Sequence, residues 1–184
     1  MIINNKIESY NKIIELNLNK FPEQLFHSNE EEKVKQFKKN YPAKYYAIRD
    51  KSKPGGVFKL KVPRNKLLNE IKNYSVYTIN VSSINYIDNQ LLVGEIEILS
   101  NDEVFLTVST NPTYSVRDAV SFPDYNLKTN IYDKTLNKIP CFDDIYSYII
   151  KHHLKDIIVE FAFFNKEIGI KKEKIIIYEL RTHY

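Results

Sequence analysis

The sequence predicts an α+β fold with mixed, mainly antiparallel sheets, and three observations carry that prediction. Residues 1–42 hold two stretches with helical spacing of apolar residues. Most of the remaining chain breaks into short β-like runs. It closes on two strongly apolar runs, Ile157 to Phe164 and Lys174 to Thr182, separated by a turn signal that makes them a C-terminal β-hairpin. The 184 residues are 43% apolar and 13% aromatic, enough to bury one sizeable core. One compact unit is therefore expected, with residues 1–42 as an N-terminal helical segment and 43–184 as an α+β domain.

Taken in chain order, Ile7, Tyr10, Ile13, Ile14 and Leu18 mark one apolar stripe of a first helix. A second helix is expected after Ser28, because Ser28-Asn29-Glu30-Glu31 sets a capping side chain before acids that favour a helix start. Val34 and Phe37 would be its buried face, and Asn40-Tyr41-Pro42 breaks it. β runs follow over Tyr45 to Ile48, Val57 to Val62, Val76 to Val81, Gln90 to Leu99 and Val104 to Ser109. One helix interrupts them over Asn65 to Tyr74, where Leu67, Leu68 and Ile71 keep helical spacing. Residues 111–140, punctuated by Pro112, Pro123 and Pro140, read as a long ordered loop. Phe142 to Leu154 forms the last helix, capped by Asp143 or Asp144 and facing inward through Ile145, Tyr148 and Ile149. His152 and His153 project to different sides of that helix, which argues against a shared metal.

Composition excludes several classes. Cys141 is the only cysteine, so there is no internal disulfide framework and no zinc site built from several thiolates, and a reducing compartment is expected. Met1-Ile2-Ile3-Asn4-Asn5-Lys6 lacks a basic stretch followed by an apolar core, and no uncharged apolar run nears the ~18 residues of a membrane span. The cytoplasm is the expected location, with no membrane partner. Net charge is +4, with 27 basic residues interspersed among 23 acidic ones, which by itself does not argue for nucleic acid. The abundance of Lys, Asn and Ile suggests an AT-rich coding bias, which makes the scarce arginines Arg49, Arg64, Arg117 and Arg181 stand out as forks for carboxylate or phosphate.

Two features point to chemistry. Gly169-Ile170 suits a two-residue type II′ turn, and pairing about it joins residues whose numbers sum to 339. Glu160 then faces Glu179, with Arg181 one diagonal step away on the same face. Opposed carboxylates in an apolar hairpin repel unless a cation lies between them, either Mg²⁺ or Arg181 itself. Mg²⁺ is commonly held by one or two carboxylates plus phosphates, so the metal reading implies a phosphorylated ligand; the other reading is a Glu–Arg cluster on a solvent face. The second feature is Lys51-Ser52-Lys53-Pro54-Gly55-Gly56, followed by a strand carrying Lys59 and Lys61. Such a loop lets backbone amides and ammonium groups approach a phosphate chain, although Pro-Gly-Gly also marks a plain turn.

In this order the motifs resemble the ATP-grasp proteins, as in the ATP-binding domain of phosphoenolpyruvate-utilising enzymes, over roughly residues 44–182. Tyr45-Tyr46-Ala47-Ile48-Arg49 is similar to the strand bearing a basic residue, Gly55-Gly56 to the loop, and Leu67-Leu68-Asn69-Glu70-Ile71 to the following helix. Leu92-Val93-Gly94-Glu95-Ile96 looks like the adenine-binding hinge, and Glu179-Leu180-Arg181 resembles the closing acidic pattern. The resemblance implies ATP and Mg²⁺ as cofactors, with Glu160 and Glu179 as metal ligands. Arg49 with Lys59 or Lys61 would neutralise phosphate, Lys53, Gly55, Gly56 and Glu95 would contact nucleotide, and Arg181 would join Arg49 in catalysis. An ATP-dependent ligase or phosphotransferase is implied, its acceptor bound by a partner or by the long loop. Two alternatives stand beside it. Arg49, Ser109-Thr110 and Glu173 resemble the skeleton of NAD-dependent ADP-ribosyltransferases, though Asn111 and Lys171 depart from that pattern. A Tyr- and Lys-rich surface also fits a non-enzymatic module that binds protein or nucleic acid.

Overall fold

The computed structural model describes residues 3, 5–52, 56–114 and 122–182. They form two compact units: a larger one from residues 1–20 and 88–184, and a smaller one, residues 21–87, set between those segments in the chain. The unit boundaries thus fall at Lys20/Phe21 and Ile87/Asp88 rather than at Pro42. The two N-terminal helices are shared out between the units instead of forming one segment.

In the smaller unit, β1 (Glu23–His27), β2 (Tyr45–Asp50), β3 (Phe58–Pro63) and β4 (Val76–Val81) form an antiparallel sheet in the order β1-β4-β2-β3. Helix α2 (Glu31–Asn40) packs on it through Val34 and Phe37, and the Phe37 ring meets Phe26 edge-on at 5.8 Å between centroids. Tyr46, Ile48, Tyr77 and Ile79 complete that core. Ser28 does not cap α2. Its backbone N–H donates to the Ser75 carbonyl, prolonging the β1–β4 pairing, and the cap position falls on Glu30. The helix expected over Asn65 to Tyr74 is a single α turn, α3 (Leu67–Glu70), running into a 3₁₀ turn over Ile71–Asn73.

The larger unit is built on a five-stranded antiparallel sheet in the order β7-β6-β5-β8-β9. Its strands are β5 (Gln90–Ile98), β6 (Glu103–Ser109), β7 (Tyr125–Asn130), β8 (Ile158–Ile168) and β9 (Glu173–Arg181). Helices α1 (Lys6–Glu15) and α4 (Phe142–Lys151) accompany it. The core is one face of this sheet: Leu92, Ile96, Leu106, Val159, Phe161 and Ile177 share a cluster with Ile13 of α1 and Ile145 and Ile149 of α4. Each such side chain taken from water is worth about 1.5–3 kcal/mol, which fixes which face turns inward. The residues between them, Glu95, Glu160 and Thr107 among them, belong to the other face.

Four details differ from the expectations above. Ile7 and Ile14 of α1 are exposed, because they lie about 100–120° around the helix from the buried Ile13. β1 went unpredicted, its five residues being mostly polar. The stretch expected as a long loop contains β7 and a 3₁₀ turn over Lys134–Lys138. Helix α4 begins after Cys141, which adopts φ 59°, and neither Asp143 nor Asp144 is its cap; both lie in its first turn, where acids favour the positive end of the helix. Among the described residues, no helix is long and apolar enough to cross a membrane.

Candidate functional site

Three carboxylates stand in one row across neighbouring strands of the larger unit. Glu95 on β5 pairs with Glu160 on β8, and Glu160 pairs with Glu179 on β9. Thr107 and Asn126 continue the row onto β6 and β7. Residues directly opposite in antiparallel strands have Cβ atoms about 4.5–5.5 Å apart, so like charges there repel. Arg181 answers part of that repulsion: its Nη2 donates to Glu95 Oε1, and its Nε lies 4.0 Å from Glu179 Oε1. The side chains of Glu95 and Glu179 are only 17% and 15% exposed, so their charges are poorly screened by water. Three carboxylates against one guanidinium leave these four residues with a formal charge of two minus.

The predicted facing of Glu160 and Glu179 is present, but it is reached by another route. The turn is four residues long, 169–172, between the paired Ile168 and Glu173, not a two-residue turn at Gly169-Ile170. Paired residue numbers sum to 341 beside the turn, to 338 from Phe163↔Ile175 to Phe161↔Ile177, and to 339 at Glu160↔Glu179. Two register shifts therefore compensate for the longer turn. Gly169 (φ 78°) and Lys172 (φ 56°) supply its left-handed residues. Asn19 holds it: Nδ2 donates to the carbonyls of Ile168 (2.9 Å) and Ile175 (2.8 Å), and Oδ1 accepts from the Lys171 N–H at 2.8 Å. A Cβ on Gly169 would stand 2.4 Å from that Oδ1, which leaves no room for a side chain.

Glu95 owes its place to a second special glycine. Gly94 has φ 152°, and a Cβ there would lie 2.1 Å from the Thr107 carbonyl oxygen, so β5 reaches β6 at this point only without a side chain. The segment expected as a hinge, Leu92 to Ile96, is strand interior, bonded to β6 and β8 on its two sides. Gly94 marks a close backbone approach.

In the smaller unit Arg49 lies near the end of β2, across from Phe58 and Thr78, with its guanidinium carbon 4.4 Å from the Phe58 ring centre. Gly56 closes the connection to β3, where a Cβ would meet the Asp50 carbonyl oxygen at 2.6 Å. Lys53, Gly55 and Arg117 lie outside the described residues. Lys59 is engaged by Glu70, Nζ to Oε1 2.5 Å; this bond raises the ammonium pKa and holds the Glu70 carboxyl below its usual range. Lys61 rests its ammonium 5.3 Å from the Tyr45 ring centre. Among the described residues no three of His, Cys, Asp or Glu gather as a ready-made metal site, so a cation at the Glu160–Glu179 pair would draw part of its shell from a ligand.

No protein-family model and no curated protein matches this sequence. Solved structures do. N5-carboxyaminoimidazole synthetase from Staphylococcus aureus is 12% identical with a TM-score of 0.52, over 97% of this chain and 44% of that one. The ADP complex of purK, an N5-carboxyaminoimidazole ribonucleotide synthetase, is 13% identical with a TM-score of 0.50, over 97% and 45%. Both are ATP-grasp enzymes. The chain has the ATP-grasp fold.

The chain spans about half the length of the solved structures it matches. The acidic pair of the closing hairpin and its arginine lie on β8 and β9. What sequence reasoning missed is the bond from Arg181 to Glu95: the β5–β8 register that brings them together leaves no local signal in the chain. The ADP-ribosyltransferase alternative is not favoured. Its hydroxyl pair is tied into a turn, with Ser109 Oγ (2.9 Å) and Thr110 Oγ1 (2.7 Å) both donating to Asp124, and Glu173 Oε1 lies 3.6 Å from the Lys151 ammonium.

Proposed function

We propose that the chain is an ATP- and Mg²⁺-binding domain of the ATP-grasp type, part of a cytoplasmic ligase or phosphotransferase that activates a carboxylate or a similar nucleophile as its phosphate. The observation that carries this reading is the row Glu95–Glu160–Glu179 with Arg181, three carboxylates side by side on the sheet face opposite the helices. A divalent cation suits paired carboxylates, and phosphate oxygens complete the coordination that they begin.

In this reading Glu160 and Glu179 hold the metal. Arg181 fixes Glu95 and keeps the row from flying apart when no metal is bound. Within the smaller unit, taken by itself, Arg49 pairs with no carboxylate among the described residues and stacks on Phe58, and with the backbone about Gly56 we assign it to an anion. Lys59 and Lys61 are left out, since Glu70 and the Tyr45 ring engage them. Bound Mg²⁺ supplies neutralisation of the transferring phosphoryl charge. The protein supplies positioning and a preformed electrostatic environment, which dominate catalysis of this kind. The ADP bound to purK supports the nucleotide class; the acceptor and any protein partner are left open.

Thermal denaturation of the full chain tests the proposal. ATP with Mg²⁺ at about a hundred times Kd should stabilise the fold by about 2.7 kcal/mol. ATP without metal should do far less, and Glu160→Gln with Glu179→Gln should abolish the metal-dependent part. Stabilisation by ATP that is indifferent to metal and to both substitutions would overturn the assignment.

A further inference from the structure

We infer that the smaller unit carries a second anion-binding site, at the end of the β2–β3 hairpin remote from the glycine loop, shaped for a small phosphate-bearing ligand. At that end Tyr45 pairs with Pro63, whereas Arg49 pairs with Phe58 beside the loop. Four residues of strand at about 3.3 Å each separate Tyr45 from Arg49 by roughly 13 Å. A shallow pocket of about 520 Å³ opens there, lined by Lys38 of α2 together with Lys44, Tyr45, Pro63, Arg64 and Asn65. That volume falls in the range of small-molecule sites.

The charge in this pocket is of one sign. Lys44 holds its ammonium 5.3 Å from the Tyr45 ring centre, an attraction that draws it toward the ring. Arg64 donates from Nη1 to the Tyr46 hydroxyl at 3.1 Å and from its backbone N–H to the Lys44 carbonyl at 2.9 Å, so its fork is anchored beside Lys44. No acidic residue lines the pocket, and among the described residues none of Lys38, Lys44 and Arg64 has a carboxylate partner. Neighbouring lysines do: Lys33 pairs with Glu30, Lys35 with Glu31 and Glu32, and Lys59 with Glu70. Burial, then the charges of Arg64 and Lys35, push the Lys38 ammonium pKa down.

An anion with two or more adjacent charges offsets that repulsion. A guanidinium fork flanked by ammonium groups suits phosphate oxygens, and Tyr45 with Pro63 offers an apolar wall to whatever carries the phosphate. The pocket is built only from residues of the smaller unit, none of them in the carboxylate row, and does not rest on the nucleotide reading.

Isothermal titration of the full chain with inorganic pyrophosphate, free of divalent metal and at low salt, should show saturable binding. A parallel titration with a sugar monophosphate distinguishes an organic phosphate from the inorganic ion. Lys44→Gln with Arg64→Gln should weaken binding about tenfold or more, the scale of one or two lost charge-assisted hydrogen bonds. Lys44→Arg with Arg64→Lys should retain most of it. Should the first pair fail to fold, Lys38→Gln with Lys44→Gln leaves the Arg64–Tyr46 bond intact and should show the same loss. The site would be overturned by no binding of either probe, by binding unchanged in the Gln variants, or by binding lost instead on Glu160→Gln with Glu179→Gln. Capture of a single-stranded oligonucleotide with no affinity for pyrophosphate would also overturn it, as the mark of an extended nucleic-acid surface.

Discussion

Asn19 uses every hydrogen-bonding group it has. Its N–H donates to the Tyr148 hydroxyl, its carbonyl accepts from Ile177, and its side chain binds Ile168, Ile175 and Lys171 of the hairpin. Burial pushes the Tyr148 phenol up to about 12, against the Asn19 N–H, which lowers it. Asn19→Ala should therefore cost about 2–4 kcal/mol, since it leaves several buried backbone groups unpaired, and urea unfolding would measure it. Arg181→Gln leaves three carboxylates facing one another. A loss of about 1–3 kcal/mol at neutral pH is expected, and Mg²⁺ alone should raise the melting temperature of this variant more than that of the wild type. The facing of Glu160 and Glu179, with Arg181 on the same strand as Glu179, was legible because a short hairpin links them. Asn19 was not, since it lies some 150 residues from the turn it holds, and an isolated Asn gives no sign of what it will meet.

Among the elements, the β8–β9 hairpin shows how a correct pairing can follow from an incorrect turn. A glycine between two apolar runs locates a reversal, but nothing in Ile168-Gly169-Ile170-Lys171 reveals that Asn19 stretches the turn to four residues. The slips that restore the register lie between Phe163 and Ile168 and between Glu160 and Phe161. Strands with β-branched, apolar alternation, such as β4 and β6, were readable. β7 was not, because Tyr125-Asn126-Leu127-Lys128-Thr129-Asn130 buries only one half-face at a sheet edge. For β5 the decisive residue is Gly94. Gly94→Ala would force a Cβ onto the Thr107 carbonyl and should cost more than about 3 kcal/mol, seen as a lower melting temperature and faster amide exchange in β5 and β6.

For the molecule as a whole, pH acts with one sign on the acid side. Asp124, Asp133 and Asp156 are held below the usual carboxylate range, chiefly by the hydroxyls of Thr110, Thr129 and Ser100. Their contribution is present above the unfolded carboxylate range and is lost as pH falls through the folded values. His152 is pushed down, first by burial and then by the charge of Lys151. The unfolded chain therefore takes up its proton first, and stability drops as pH falls below the ordinary imidazole range. Thermal melts should thus show two acid limbs, a shallow one below about pH 6.5 and a steeper one below about pH 4; His152→Gln should flatten the first. The division into units has a consequence for synthesis. The smaller unit is one unbroken stretch, whereas the larger needs both its opening helix and a strand made some 160 residues later. On the ribosome the inserted unit can close as soon as it emerges, while α1 waits, its apolar side bare, for β9 to arrive. That interval is when a chaperone, or a misplaced neighbour, would find this chain most open to capture.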